Sequence, residues 1–401
     1  MKKYSRFVGG VLLIAGTSIG AGMLALPVIT AFGGFIPSFL VFVFVWGLMF
    51  ISANFFLDVN LKVRGEPNFI SMVERTLGKW GKITSWFLYL LLLYSLLAAY
   101  LAACAPLFSL AFESVFHAPL SPIIASFFLP ICFGGCLYFG TRGIDYFNRI
   151  LMIGLIGSYF LIVGIVPQHI EISRFFHVDF SASLLAVPII ITSFGYHIII
   201  PSLTTYMDHD EKLLRKTILV GSIIPFIVYV LWQCIVLGAV PFPSLVAAWS
   251  QGAPASEPLA ISLGVSWLGS TVRFFSFFAV ITSFLGIALS LSDFLRDGLK
   301  LKKSWEGKLM AIALTFIPPL VFVFSYQKGF YAALEYGGAF VAILLGVIPS
   351  LMALRIKTHS WYRNFWGKVF VYVVIFLFTL IAFSNVAVKL GWFQKYIASY
   401  L

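Results

Sequence analysis

The chain has 401 residues, 61% of them hydrophobic and only 10% charged, with a mean hydropathy of +1.00. A soluble domain averages about a quarter charged residues, so this composition excludes a water-facing globular surface and implies an integral membrane protein. The net charge of +12 does not describe a nucleic-acid surface, because the basic residues are spread over short segments between apolar runs.

Taken in chain order, apolar stretches of about 20 residues bounded by charge or turn residues predict an all-α polytopic membrane protein with eleven transmembrane helices. They lie near 7-31, 36-57, 84-111, 123-142, 149-167, 184-205, 217-239, 267-295, 309-326, 331-354 and 369-391. The first follows Lys2, Lys3 and Arg6 and runs to about Thr30, too long for the roughly 7–15-residue apolar core of a cleaved signal peptide. It carries an interruption, Ala15-Gly16-Thr17-Ser18-Ile19-Gly20-Ala21-Gly22, and then Pro27. Glycines let backbone leave helical geometry at little steric cost. Unwound backbone at membrane depth survives only where something else takes its hydrogen bonds, although small residues also serve close helix packing.

The second span holds Asn54, which braces the first break or simply bonds a neighbouring helix. The third holds Tyr94 and Tyr100, whose rings can meet an aromatic side chain. In the fourth, Cys132 and Cys136 share a helical face, but disulfide geometry within a helix is poor and no histidine stands nearby to complete a metal site. The fifth, Leu151 to Pro167, contains no charge.

The sixth span repeats the interruption as Thr192-Ser193-Phe194-Gly195, with Tyr196 and His197 next and Pro201 beyond. Of six histidines only His197 stands well within a span. An ionisable group there is a candidate for bonding substrate or carrying a proton, against the alternative of a packed neutral ring. On the eighth span Thr282 and Ser283 are adjacent hydroxyls. With the Ala15 and Gly16 carbonyls they can ligate a hard cation, or they bond back to their own helix. Asp58, Asp145 and Asp293 stand beside basic residues at span ends and predict gate or anchoring ion pairs, and Glu335 an outer-gate group.

The charges give the orientation. Of the 27 basic residues, 22 fall between Lys2 and Arg6, Lys62 and Lys82, Arg142 and Arg149, Lys212 and Lys216, Arg296 and Lys308, and Arg355 and Lys368. The positive-inside rule puts these segments, and the N-terminus, in the cytoplasm; an odd number of spans puts the C-terminus outside. Two halves of five helices then have opposite orientations. The expectation is a single transporter domain over 1-401, with repeats 7-167 and 184-354 and an additional helix 369-391. That is a LeuT-type 5+5 inverted repeat with broken helices 1 and 6. Where a half-helix starts, free N–H groups favour a carboxylate; where one stops, orphan carbonyls favour an ammonium or metal cation, so one break suits an amino-acid zwitterion.

Five segments together resemble a known family: Ala15 to Leu26, Pro188 to Met207, Phe147-Asn148-Arg149, Thr282 to Leu291, and Phe316-Ile317-Pro318-Pro319. They are similar to the bacterial hydroxy and aromatic amino acid permeases of the amino acid-polyamine-organocation superfamily, and most of all to tyrosine permeases. The resemblance covers nearly the whole chain and is most specific at TSFGYH with its following Pro-Ser and Tyr-Met. It implies a secondary importer of tyrosine or tryptophan in the cytoplasmic membrane, usually coupled to protons. Proton-coupled relatives place a lysine on the fifth span, where the matching position here is Leu155, so the coupling ion is a proton carried elsewhere, or sodium, or the chain is a facilitator or exchanger.

The expected substrate-binding residues are Thr17, Ser18, Gly20, Ala21, Gly22, Tyr94, Tyr100, Ser193, Phe194, Gly195, Tyr196 and His197. The coupling-ion candidates are Ala15, Gly16, Thr282, Ser283 and His197. The expected partners are an aromatic amino acid and the lipid bilayer, with no nucleic acid. No cofactor is expected beyond the coupling proton or sodium. No HExxH or GxSxG motif and no membrane-depth acid pair speaks for an enzyme. A channel is the nearer rival, since broken helices also line pores.

Overall fold

The computed structural model describes residues 2–63, 65, 68–118, 120–139, 141–302, 304–326, 329–356 and 364–389. The side chains of 2, 110, 111, 114, 115, 122, 136–147 and 385–389 are excepted. The features expected at Cys136, Asp145 and Phe147 therefore lie outside the described side chains. Among the described residues every regular element is helical, as lipid requires of a chain that must satisfy its backbone within each segment.

Helix α1 (Lys2–Ser18) stops before Ile19 and Gly20, and a 3-10 turn (Ala21–Leu24) leads into α2 (Leu26–Thr30). The two halves are bent by 48°. Then come α3 (Phe35–Lys62), α4 (Phe69–Phe116), α5 (Pro122–Phe139) and α6 (Thr141–Ile165). A short α7 (Phe180–Ser183) precedes α8 (Val187–Ser193), which breaks at Phe194 and Gly195 before α9 (Ile200–Tyr206). The remainder is α10 (Glu211–Ala239), α11 (Phe242–Gln251), α12 (Ser256–Ser262), α13 (Ser266–Gly298), α14 (Trp305–Ser325), α15 (Gly329–Val341), α16 (Ile348–Ile356) and α17 (Phe365–Lys389). A π-helical turn, Ala342–Val347, joins α15 to α16.

Nine described helical segments are long and apolar enough to cross a membrane, ten if α1 and α2 form one bent span. The described apolar stretch of α5, Ile123–Gly135, is shorter than the about 20 residues a span needs. One boundary differs markedly from the expected one, and two short helices stand between the expected spans. Helix α4 starts well before residue 84, at Phe69, because the Asn68 side chain accepts the Ser71 N–H at 2.9 Å and caps an extra segment. That segment meets the long span at Gly78, whose φ of 79° is a left-handed conformation suited to glycine. Helices α11 and α12 are too short to cross, and their apolar faces pack instead on α2 and α13.

The broken segments sit inside the bundle. Helix α1 lies along α10, α8 against α15, and α13 against α4 and α6. The closeness of α8 and α15 depends on Gly338, where a Cβ would fall 2.2 Å from the Pro188 carbonyl oxygen.

At one end of the bundle the N-terminal turn of α1 is held to the α9–α10 turn by Lys3–Asp210 at 2.7 Å and by Arg6–Asp208. The Lys3 ammonium hydrogen-bonds the Asp210 carboxylate and holds it below the usual aspartate range. Arg215 of α10 gathers Asp58, Glu211 and the Asn54 side-chain carbonyl. Asn54 thus bonds a neighbouring helix at the charged end and does not brace the first break, while Asp58 makes an anchoring ion pair. Asp293 is 3.9 Å from Arg296 on its own helix.

Candidate functional site

The first break is open backbone. Gly20 is extended, at φ −163° and ψ −162°, a conformation any residue adopts. Its glycine identity therefore answers to space: a Cβ there would stand 2.4 Å from Ser283 Oγ. At Gly22 a Cβ would be 3.2 Å from Ser193 Oγ, so the first break lies directly on the second.

Hydrogen bonds from other helices satisfy this backbone. Ser283 Oγ accepts the Ala21 N–H at 3.1 Å and donates to the Ala279 carbonyl at 2.8 Å. The Trp232 indole N–H donates to the Met23 carbonyl at 3.1 Å. The Ala255 N–H donates to the Leu24 carbonyl at 2.9 Å. The Tyr229 hydroxyl, on α10, donates to the Ser18 carbonyl and is 3.0 Å from the Ser193 carbonyl. One hydroxyl thus stands between the last residues of α1 and α8.

The second break is tighter and closes largely on itself. Phe194 N–H bonds Ile191, Gly195 N–H bonds Thr192, and Tyr196 N–H bonds Phe194, at 3.2, 3.2 and 3.0 Å. Phe194 is fully buried, its ring edge-on to Tyr229 at 5.4 Å. A Cβ on Gly195 would be 3.1 Å from the Thr192 carbonyl oxygen, which leaves little room for a larger residue.

The structure brings Ser18, Gly20, Ala21, Gly22, Ser193 and Phe194 together, with Ser283 beside them and the buried Tyr100 hydroxyl within reach of Ser283. The Ser18 hydroxyl is buried there without a partner among the described residues. Tyr94, Gly16 and Thr17 are not brought in. Tyr94 donates to the Leu314 carbonyl of α14 at 2.9 Å. Six residues along a helix is about 240° of rotation, which separates Tyr94 from the face of Tyr100. Gly16 and Thr17 lie on the exposed side of α1 with Leu12 and Leu13, and the Thr17 hydroxyl bonds back to Leu13.

Tyr196 and His197 lie beyond the second break, ring centroids 5.1 Å apart, beside Met49 of α3 and Ser222 of α10. The His197 ring and the Tyr196 hydroxyl are fully buried, with the Met49 backbone and the Ser222 side chain as polar neighbours. The Thr282 hydroxyl donates back to Phe278 at 2.8 Å and the Ala15 carbonyl accepts from Ile19 at 2.9 Å. Leu155 is buried in the apolar core.

Sequence reasoning missed Tyr229, Trp232 and Gln233. Their spacing was the available signal: hydrogen-bonding side chains one turn apart in the middle of a long apolar helix face the bundle interior rather than lipid. Gln233 is 2% exposed and its amide has no partner among the described residues. Cavities of about 200 and 190 Å³ flank the bundle's two ends, one near Asn60, Thr204 and His209, the other near Gly34, Arg174 and His177. Neither is lined by the break residues.

Residues 3–385 match the tryptophan/tyrosine permease family. The chain belongs to that family. It is 31% identical over 399 residues to the tyrosine-specific transport system 1 of Haemophilus influenzae, covering 97% of this chain and 98% of the relative. It is 29% identical over 413 residues to the tryptophan-specific transport protein of the same organism, with 98% and 99% covered. Solved structures of the Eremococcus coleocola manganese transporter share the fold, at a TM-score of 0.64 and 13% identity, over 96% of this chain and 87% of the transporter. Membership makes the chain a membrane permease and not an enzyme.

Proposed function

We propose that this permease is a secondary active importer of aromatic amino acids, tyrosine first and tryptophan or phenylalanine with it, across the bacterial inner membrane. The observation that carries the reading is the meeting of the two breaks, where the Ser18 and Ser193 carbonyls converge on one buried point. Helix ends whose carbonyls converge at membrane depth suit a substrate ammonium. The relatives named for tyrosine and tryptophan supply the substrate class. The architecture that goes with this reading is eleven spans in a LeuT-type 5+5 inverted repeat, with the N-terminus cytoplasmic and the C-terminus outside.

Proton symport is the coupling we propose, with His197 as the carrier, since it is a buried imidazole beside the second break and an ionisable side chain at membrane depth is a functional candidate by default. One charge moving inward across ~100 mV is worth about 2.3 kcal/mol, enough for well over tenfold accumulation. Sodium symport is the second reading, supported by the approach of Ser283 to the first break.

Uptake of labelled tyrosine into proteoliposomes with independently imposed gradients tests both parts. Unlabelled tryptophan or phenylalanine should compete and lysine or glutamate should not; equal competition by charged amino acids would sink the substrate assignment. An inward pH gradient should drive accumulation without sodium. Accumulation that needs sodium replaces the coupling ion, and accumulation with neither gradient nor potential leaves a facilitator or exchanger.

A further inference from the structure

The Tyr229 hydroxyl has one proton and faces two carbonyls, Ser18 at the end of α1 and Ser193 at the end of α8. Its ring is fully buried and held edge-on to Phe194, with Phe42 of α3 at 6.5 Å. The hydroxyl is thus fixed by packing at the one place where the two broken helices stop. Among the described residues these carbonyls have no other donor, and a buried acceptor at membrane depth needs one.

We infer that Tyr229 is a positioning residue that ties the two breaks together in the empty permease, and that a primary ammonium must take its place when substrate binds. The chemistry favours the exchange. A hydroxyl offers one donor to two acceptors, whereas an ammonium offers three, and its charge strengthens each bond. The tie has a transport consequence, which rests on the reading of this chain as an amino-acid carrier. Net uptake requires the empty carrier to return with its site closed, and only a protein group can then satisfy the break carbonyls. Exchange of external for internal substrate does not require the empty carrier to reorient.

Tyr229→Phe removes the hydroxyl and keeps the ring packing, and Tyr159→Phe is its control. Tyr159 also donates a phenol proton to a carbonyl of α10, that of Val228 at 3.0 Å, adjacent to Tyr229 in the chain but on neither break. In proteoliposomes Tyr229→Phe should lower net uptake about tenfold relative to exchange, the scale of one lost hydrogen bond. Tyr159→Phe should keep the wild-type ratio of net uptake to exchange. Net uptake and exchange falling in parallel, or neither changing, would overturn the inference.

Amide hydrogen exchange in the empty protein needs no substrate. Protection across residues 15–24 and 190–198 should fall in Tyr229→Phe and hold in Tyr159→Phe; unchanged protection in Tyr229→Phe overturns the tie. A wild-type protein that transports no aromatic amino acid, yet loses this protection on Tyr229→Phe, rejects the functional reading and keeps the tie.

Discussion

Gly20 and Gly16 stand four residues apart in one glycine-rich run, yet they answer to different constraints. A Cβ at Gly20 would meet Ser283 Oγ at 2.4 Å, whereas at Gly16 nothing lies within 4 Å. Gly20→Ala should therefore push Ser283 off the Ala21 N–H, at a cost of about 1–3 kcal/mol for overpacking, which is a roughly 5- to 150-fold loss of substrate affinity. Gly16→Ala should bind like wild type. Binding of labelled tyrosine to the purified variants checks the pair, and equal affinities would mean that the break has been misread as the site. His197 is tested by a volume-conserving change. The ring is fully buried against Tyr196, so His197→Phe, which keeps a ring in that place, should fold, continue to exchange substrate, and lose its response to a pH gradient. A variant that still accumulates substrate under that gradient returns His197 to a packing role.

Among elements, the contact of α15 with α8 determines how firmly the second break is held. Gly338 allows the two backbones to approach, and a Cβ 2.2 Å from the Pro188 carbonyl oxygen cannot be accommodated by rotating a side chain. Gly338→Ala should lower thermal stability by about 1–3 kcal/mol, the range for overpacked sites, with a lower melting temperature in detergent. A melting temperature equal to that of wild type would show that α15 slides freely on α8. The breaks themselves divide the work unequally. The second satisfies its N–H groups through its own tight turns, while the first draws on Tyr229, Trp232, Ser283 and Ala255 from three other parts of the chain.

For the molecule as a whole, ion pairs at the α1 end join Lys3 to Asp210, Arg6 to Asp208, and Arg215 to Asp58 and Glu211. Exposed ion pairs such as Lys3–Asp210 are worth only about 0.2–1 kcal/mol each, so the proposed orientation rests on the distribution of the basic residues and not on these pairs. A cysteine replacing exposed Tyr4 should resist a membrane-impermeant thiol reagent in intact cells and react in inverted vesicles. One replacing exposed Phe176, on the opposite side, should behave in reverse. Labelling of the Tyr4 site from outside would invert the assigned topology.

Much of this architecture was legible in the residues. Long runs without charge must become helices in lipid, because no other local structure satisfies every backbone group within one segment. The paired glycine and hydroxyl clusters marked where two of those helices stop. The same residues could not say which side chain faces which break, since that depends on helix rotation and on neighbours hundreds of positions away. Tyr94 and Tyr100 look alike in the sequence, and only their rotation about α4 sends one hydroxyl to Leu314 and the other towards Ser283. Thr17 belongs to the break by position and to the exposed side of α1 by geometry. Tyr229, in an apolar run with no motif, acquires its place because α10 packs along α1 and carries one hydroxyl to the carbonyls of both broken helices. Composition and periodicity thus determined the solvent, the helices and the breaks. Tertiary packing decided the hydrogen-bond partners, because a backbone group freed from its own helix is satisfied by whatever the rest of the chain brings within about 3 Å.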